Sequence, residues 1–140
     1  MPLKTIEQSV YFSAQPQRLY DLYLSAKGHA QFTGAPVKLQ PKTGGNFSAF
    51  GGMLSGSFLL LVPSRMIVQR WRSVEFKPED LDSILTLTFY KERAGCRIHL
   101  VHVNVPKHDF QGVTKGWPKY YWKPLRAYLK NKKARMEDGR

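Results

Sequence analysis

Apolar and polar positions follow different periods along the chain, and each change of period marks a structural boundary. Ile6 to Phe12 has strand-like content and stops at Ser13, Ala14, Gln15 and Pro16, where proline suits the first turn of a helix. Leu19, Tyr20, Leu22, Tyr23 and Leu24 give that short helix an apolar face. Ser25 is a good N-cap for a second short helix reaching Phe32, which Gly34 and Pro36 end. From there to Val105 the pattern is one of strands and tight turns. Asn46 to Phe50 and Met53 to Val62 flank Gly51-Gly52, read as a two-residue hairpin turn. Met66 to Arg72, Ser83 to Tyr90 and Cys96 to Val105 follow as further strands, and Pro106 closes the last.

The final segment repeats with a helical period. At about 100° per residue, Val113, Trp117, Tyr120, Tyr121, Pro124, Leu125 and Tyr128 fall within one apolar arc. Lys115, Lys119, Lys123, Arg126, Lys130 and Lys133 recur every three or four residues on the opposite side, as one basic stripe. Pro118 and Pro124 each remove a backbone donor and are expected to kink this helix. An aromatic-rich helix with one wet face must cover something apolar, and the sheet is the available surface. The expected class is α+β.

Composition narrows the class further. The chain has 140 residues, enough for one sizeable core. A domain over residues 1–130 with a basic tail at 131–140 is expected. The longest apolar run, Phe58 to Val62, is far short of the roughly 20 residues that span a bilayer. Met1 to Phe12 mixes Lys4, Glu7 and Gln8 among its apolar residues and reads as no signal peptide. The one cysteine, Cys96, cannot form an internal disulfide, so the expected compartment is the reducing cytoplasm. The net charge of +12 predicts attraction to an anionic partner. That charge is unevenly placed: residues up to Asn104 carry 12 basic and 7 acidic side chains, whereas Val105 onward carries 10 and 3.

Several segments together resemble a known family. They are Phe32-Thr33-Gly34-Ala35-Pro36, Gly44-Gly45-Asn46-Phe47, Gly52-Met53-Leu54-Ser55-Gly56, and Leu61-Val62-Pro63 running to Ile67-Val68-Gln69-Arg70-Trp71-Arg72. Leu85-Thr86-Leu87-Thr88-Phe89, Val105-Pro106, and Gly116-Trp117-Pro118-Lys119-Tyr120-Tyr121-Trp122-Lys123-Pro124-Leu125 complete the set. In order and spacing these resemble the activator of heat-shock protein 90 ATPase homologue family, over residues 6–130. The resemblance implies a START-like (SRPBCC) helix-grip fold, β-α-α-β6-α, in which a curved antiparallel sheet wraps a long C-terminal helix around a cavity. Eukaryotic co-chaperones of the family carry a separate N-terminal chaperone-binding domain, and the residues before Ile6 are too few to supply one, so what the resemblance implies is the fold. The family's usual acidic-plus-glycine hairpin turn is here Gly51-Gly52.

Catalytic and metal chemistry find no support in the sequence. His99 and His102 lie three apart on a strand, hence on opposite faces, and cannot chelate one ion. Cys96 and His102 share a face but stand about 20 Å apart along an extended strand. His108 lies beyond Pro106 and can approach His102, but two histidines without a placed carboxylate make a poor metal site. All four histidines read as satisfied or solvent-facing, Cys96 as an ordinary half-buried cysteine, and Glu79, Asp80 and Asp82 as a solvated loop. No glycine-rich segment has phosphate-loop spacing. No enzyme activity, metal or cofactor is expected.

Binding readings have more content. Alternation places Leu85, Leu87 and Phe89 on one face of their strand, and groups Leu54, Phe58 and Leu60, then Ile67, Gln69 and Trp71, then Ile98, Leu100 and His102. The residues expected to line a cavity are Phe47, Phe58, Leu60, Gln69, Trp71 and Leu87. Phe89, Leu100 and His102 join them from the sheet, and Trp117, Tyr120 and Tyr121 from the helix. Apolar walls with a few polar points suit a small apolar or lipid-like ligand; the alternative is that Trp71, Trp117 and the phenylalanines fill the space. A second reading makes the basic stripe a docking face for an acidic protein such as a chaperone. Weak, non-specific nucleic-acid binding is a third, since the aromatics do not interleave with exposed cations.

Overall fold

The computed structural model describes residues 3–137, with side chains for residues 3–132. Strand β1 (Leu3–Phe12) leads into helices α1 (Pro16–Tyr23) and α2 (Ala26–Thr33). Pro16 opens α1, and the Ser25 hydroxyl accepts the Gly28 amide at 3.0 Å to cap α2. Gly34, at φ 77°, ends α2 in the left-handed conformation that glycine reaches without strain.

Six strands follow: β2 (Val37–Leu39), β3 (Asn46–Ala49), β4 (Leu54–Val62), β5 (Met66–Ser73), β6 (Ser83–Glu92) and β7 (Gly95–Pro106). All pair antiparallel in the order β1-β7-β6-β5-β4-β3-β2. The three-residue β2, too short to show a period, completes the six strands that the family fold implies.

Two local features differ from the sequence reading. Gly51-Gly52 is not a two-residue turn: Ala49 pairs with Leu54, and the four-residue connection begins with Phe50 itself at φ 54°. Strand β4 also carries a bulge between Phe58 and Leu60. Phe58 faces Gln69 inside, but the extra residue moves Leu60 opposite Val68, so Leu60 is 46% exposed on the outer face and cannot line a cavity. A second irregularity lies at Val103-Asn104 of β7, opposite Lys4 to Ile6, where Asn104 takes φ 62°; Ile67, Gln69, Trp71, Leu85, Leu87, Phe89, Ile98, Leu100 and His102 alternate and are all buried.

The C-terminal helix begins as α3 (Phe110–Gly116), widens into a π segment (Trp117–Trp122) and continues as α4 (Lys123–Glu137), past residue 130. Pro118 has no amide to give Thr114, and the Lys123 amide reaches back five residues to the Pro118 carbonyl. The wider turn brings Trp117 and Trp122 to one side, where their rings stack at 5.7 Å and 22°. Trp122, which strict α-helical phasing leaves off the apolar arc, is therefore buried. Trp117, Tyr121, Trp122 and Leu125 close one core with the concave face of the sheet.

Candidate functional site

Beneath the middle of the helix the core is filled. Phe47, Phe58, Gln69, Leu87, Phe89, Leu100 and His102 are each at most 8% exposed. A void of about 10 Å³ near Leu87, Phe89 and Tyr121 is what remains there, about room for one water.

The polar groups of that core satisfy one another. Tyr23 donates its hydroxyl to Gln69 Oε1 at 2.7 Å. His29 sits with Nδ1 2.9 Å from the Tyr23 carbonyl, which can only accept, so Nδ1 carries the proton. Its Nε2 then accepts the Tyr121 hydroxyl at 2.9 Å. Burial pushes the His29 pKa down to about 4 and the His102 pKa down to about 3, so both rings are neutral near pH 7. Gln69 and Tyr121 are expected lining residues; that Tyr23 and His29 join them in the core is not legible in the sequence.

Ser83 and His102 stand 2.8 Å apart, the spacing of a nucleophile and its base. The proton arrangement is reversed, however. Ser83 donates to the Trp71 carbonyl at 2.8 Å, and Trp117 Nε1 donates to His102 Nδ1 at 3.3 Å. His102 must therefore donate from Nε2 to Ser83 and has no lone pair left for the serine proton. Both side chains are also fully buried. Cys96 is buried too, and its thiol is pushed up to about 11, chiefly by burial. His99 and His108 each face one carboxylate, Glu7 at 2.7 Å and Asp80 at 2.9 Å. Among the described residues no cluster of three or more His, Cys, Asp or Glu could hold a metal, and no helix is long and apolar enough to cross a membrane.

Besides a shallower, polar-lined depression of about 510 Å³ over α1, against Gln15, Arg18 and Asp21, an accessible cleft of about 330 Å³ lies at one end of the C-terminal helix. Phe50, Met53 and Leu54 form one wall, Trp71 and Ser73 of β5 another, and Val113, Trp117, Tyr120 and Tyr121 of the helix the third. Trp71, Trp117, Tyr120 and Tyr121 are thus the expected lining residues that meet at an open site; Leu60 faces away, and the others are core. Two helical glycines make the concavity. Gly112 and Gly116, one turn apart, both face the cleft, where each costs the helix about 1 kcal/mol relative to alanine. That i, i+4 glycine pair was the sequence signal for this site. Phe50, displaced by its left-handed connection, packs edge-on to Tyr120 at 5.7 Å and Tyr121 at 5.9 Å. Glu75 and Asp109 complete the lining.

Five of the six cations expected to form a basic stripe reach solvent along the C-terminal helix. Lys115, Lys119, Lys123, Arg126 and Lys130 are exposed; the side chain of Lys133 lies outside the described residues. Lys119 Nζ rests 5.2 Å from the Tyr120 ring centroid, and the Arg126 guanidinium 4.8 Å from that of Phe12.

Comparison with known proteins agrees with this architecture. Residues 13–130 match the family described as Activator of Hsp90 ATPase homolog 1-like protein. The human "Activator of 90 kDa heat shock protein ATPase homolog 1" is 30% identical over 115 residues, 82% of this chain and 34% of that protein. The "Activator of 90 kDa heat shock protein ATPase homolog" of Dictyostelium discoideum is 27% identical over 81% of this chain and 30% of its own length. The chain thus spans about a third of the length of these curated relatives. Among solved structures, an HSP90 activator from Plasmodium falciparum superposes with a TM-score of 0.81 at 22% identity, over 89% of this chain and 95% of that one.

Proposed function

The chain belongs to the Activator of Hsp90 ATPase homolog 1-like family, and on that premise we propose that it is a non-enzymatic cytoplasmic binding module whose ligand is a small apolar molecule held in the cleft beside the C-terminal helix. One observation carries this reading: an open, aromatic-walled space of about 330 Å³ adjoins a core that is otherwise filled. Its size lies at the lower end of the roughly 300–1,000 Å³ of small-molecule sites. Five aromatic side chains from three parts of the chain offer contact area, while His102 and His29 are neutral and hydrogen-bonded inside the core. Titration of isotope-labelled protein with fatty acids, sterols and aromatic amphiphiles tests it. Binding at the cleft shifts the Gly112 and Gly116 amides and the Trp117 indole at sub-millimolar ligand; a panel that moves none of them removes the reading.

A second reading rests on a different surface. Five exposed cations along the C-terminal helix, together with relatives named as activators of the heat-shock protein 90 ATPase, support docking to an acidic chaperone surface. Adding the protein to the heat-shock protein 90 chaperone of the same cell, as wild type and as Lys119→Glu/Lys123→Glu, is the direct assay. Stimulation lost on charge reversal supports it, and an unchanged ATPase rate with both proteins removes it.

A further inference from the structure

The charge lining the cleft is opposite to that of the chain. Among the described residues no lysine, arginine or histidine lines the cleft, and its two carboxyl groups are Glu75 and Asp109. In a protein of net charge +12 this is an acidic mouth on an apolar pocket.

Those two carboxylates are also uncommitted. The ion pairs of the described residues engage Asp82 with Arg70 and Arg72, Glu92 with Arg97, Glu7 with His99, and Asp80 with His108. Neither Glu75 nor Asp109 takes part. Asp109 stands at the head of the C-terminal helix without capping it through its side chain. The nearest histidine, His108, is turned toward Asp80 at 2.9 Å. Partial burial, opposed by His108 and assisted by the charge of Glu75, raises the Asp109 pKa. A partly buried carboxylate with a second carboxylate at the same mouth is relieved by a cation placed beside it.

Behind them stand π faces. Trp71 and Trp117 lie 6.2 Å apart, Trp117 and Tyr121 4.8 Å, and Phe50 bridges Tyr120 and Tyr121. Ring faces attract cations, most strongly where water is excluded. The same walls accept an aromatic or aliphatic body.

We infer that the cleft is selective for a hydrophobic primary amine, an arylalkylammonium ion whose charged head meets Glu75 and Asp109 and whose body fills the space between Met53, Trp71, Trp117 and Tyr120. This rests on the reading of the cleft as a ligand site and adds the sign of the ligand's charge. A fatty acid of the same bulk would bring a third carboxylate to the mouth.

Three probes with the same phenylbutyl body separate the two levels: phenylbutylamine, phenylbutanol and phenylbutyrate, titrated into the full chain while the Gly112 and Gly116 amides and the Trp117 indole are followed. The expected order is amine, alcohol, acid, with the amine about tenfold tighter than the alcohol. Added salt narrows that gap, and in Glu75→Gln/Asp109→Asn the amine-to-alcohol ratio falls to near one. If all three bind at these resonances and the alcohol or the acid equals the amine, the charge selectivity is wrong and the ligand reading stands. If the amine is favoured equally in the double variant, the selectivity does not come from these carboxylates and the inference fails. If no probe moves the cleft, both fall together.

Discussion

Gln8 accepts the Trp122 indole N–H at 2.8 Å while its own amide donates at 2.9 Å to the Thr114 carbonyl, the group that Pro118 leaves without its helical partner. One side chain of β1 thus repairs the backbone where the helix departs from α geometry and fixes the ring that the departure turns inward. Gln8→Ala orphans both a carbonyl and an indole, and is expected to cost about 1–3 kcal/mol in chemical denaturation. Combined with Trp122→Phe, the losses should be less than additive, because the two side chains share one bond. Fully additive losses would show that the bond contributes nothing.

Trp117→Phe separates hydrogen bonding from bulk. The ring keeps most of its contacts, but His102 Nδ1 loses the indole donor, at an expected cost of about 1–3 kcal/mol. Trp117→Ala, which also removes the packing, should cost about 3–5 kcal/mol. Equal destabilisation by the two variants, measured by denaturant midpoint, would deny the bond any role.

The bulge in β4 makes a contrasting pair. Phe58 is 1% exposed and Leu60 46%, although both occupy the same parity of the strand. Phe58→Ala should cost about 3–5 kcal/mol, whereas Leu60→Ser should stay within about 0.5 kcal/mol of wild type. A large loss at Leu60 would mean that strict alternation, not the bulge, sets the register.

Stability should fall as the solution is acidified below the ordinary histidine range. His29 and His102 have pKa values lowered from 6.5 to about 4 and about 3. Above 6.5 neither state binds the proton and the full stability is present. Below it the unfolded chain takes up protons that the folded chain refuses, each histidine costing up to about 1.4 kcal/mol per pH unit until its folded value is reached. The paired carboxylates Asp82 and Glu92, whose pKa values are lowered, lose their contribution only at lower pH. Denaturant midpoints at about pH 7.5 and about pH 5 test this; identical midpoints would place the two rings in contact with water.

The parts legible in the sequence are those with a local chemical cause. Pro16, Ser25 and Gly34 mark helix ends because each supplies the backbone or hydroxyl that the end requires. β5, β6 and β7 as far as His102 show their inner faces because alternation is unbroken there. The misplacement of Leu60 has a one-residue cause that no residue type announces. Trp122 was missed because a π turn shifts the phase at a proline, and proline signals a break without saying which way it resolves. The open cleft is hardest to read, since Phe50 continues a strand pattern and Gly112 and Gly116 add nothing to the apolar period, while its other four aromatic residues are indistinguishable in sequence from those that fill the core.

The chain's three tryptophans form one row, Trp71 to Trp117 at 6.2 Å and Trp117 to Trp122 at 5.7 Å. Tryptophan emission from this protein, excited selectively over its seven tyrosines, therefore originates at a single place, the seam between the C-terminal helix and the sheet, with two of the three indoles facing the cleft. Without any attached label, the molecule is a spectroscopic reporter of its own helix docking and of whatever enters beside it.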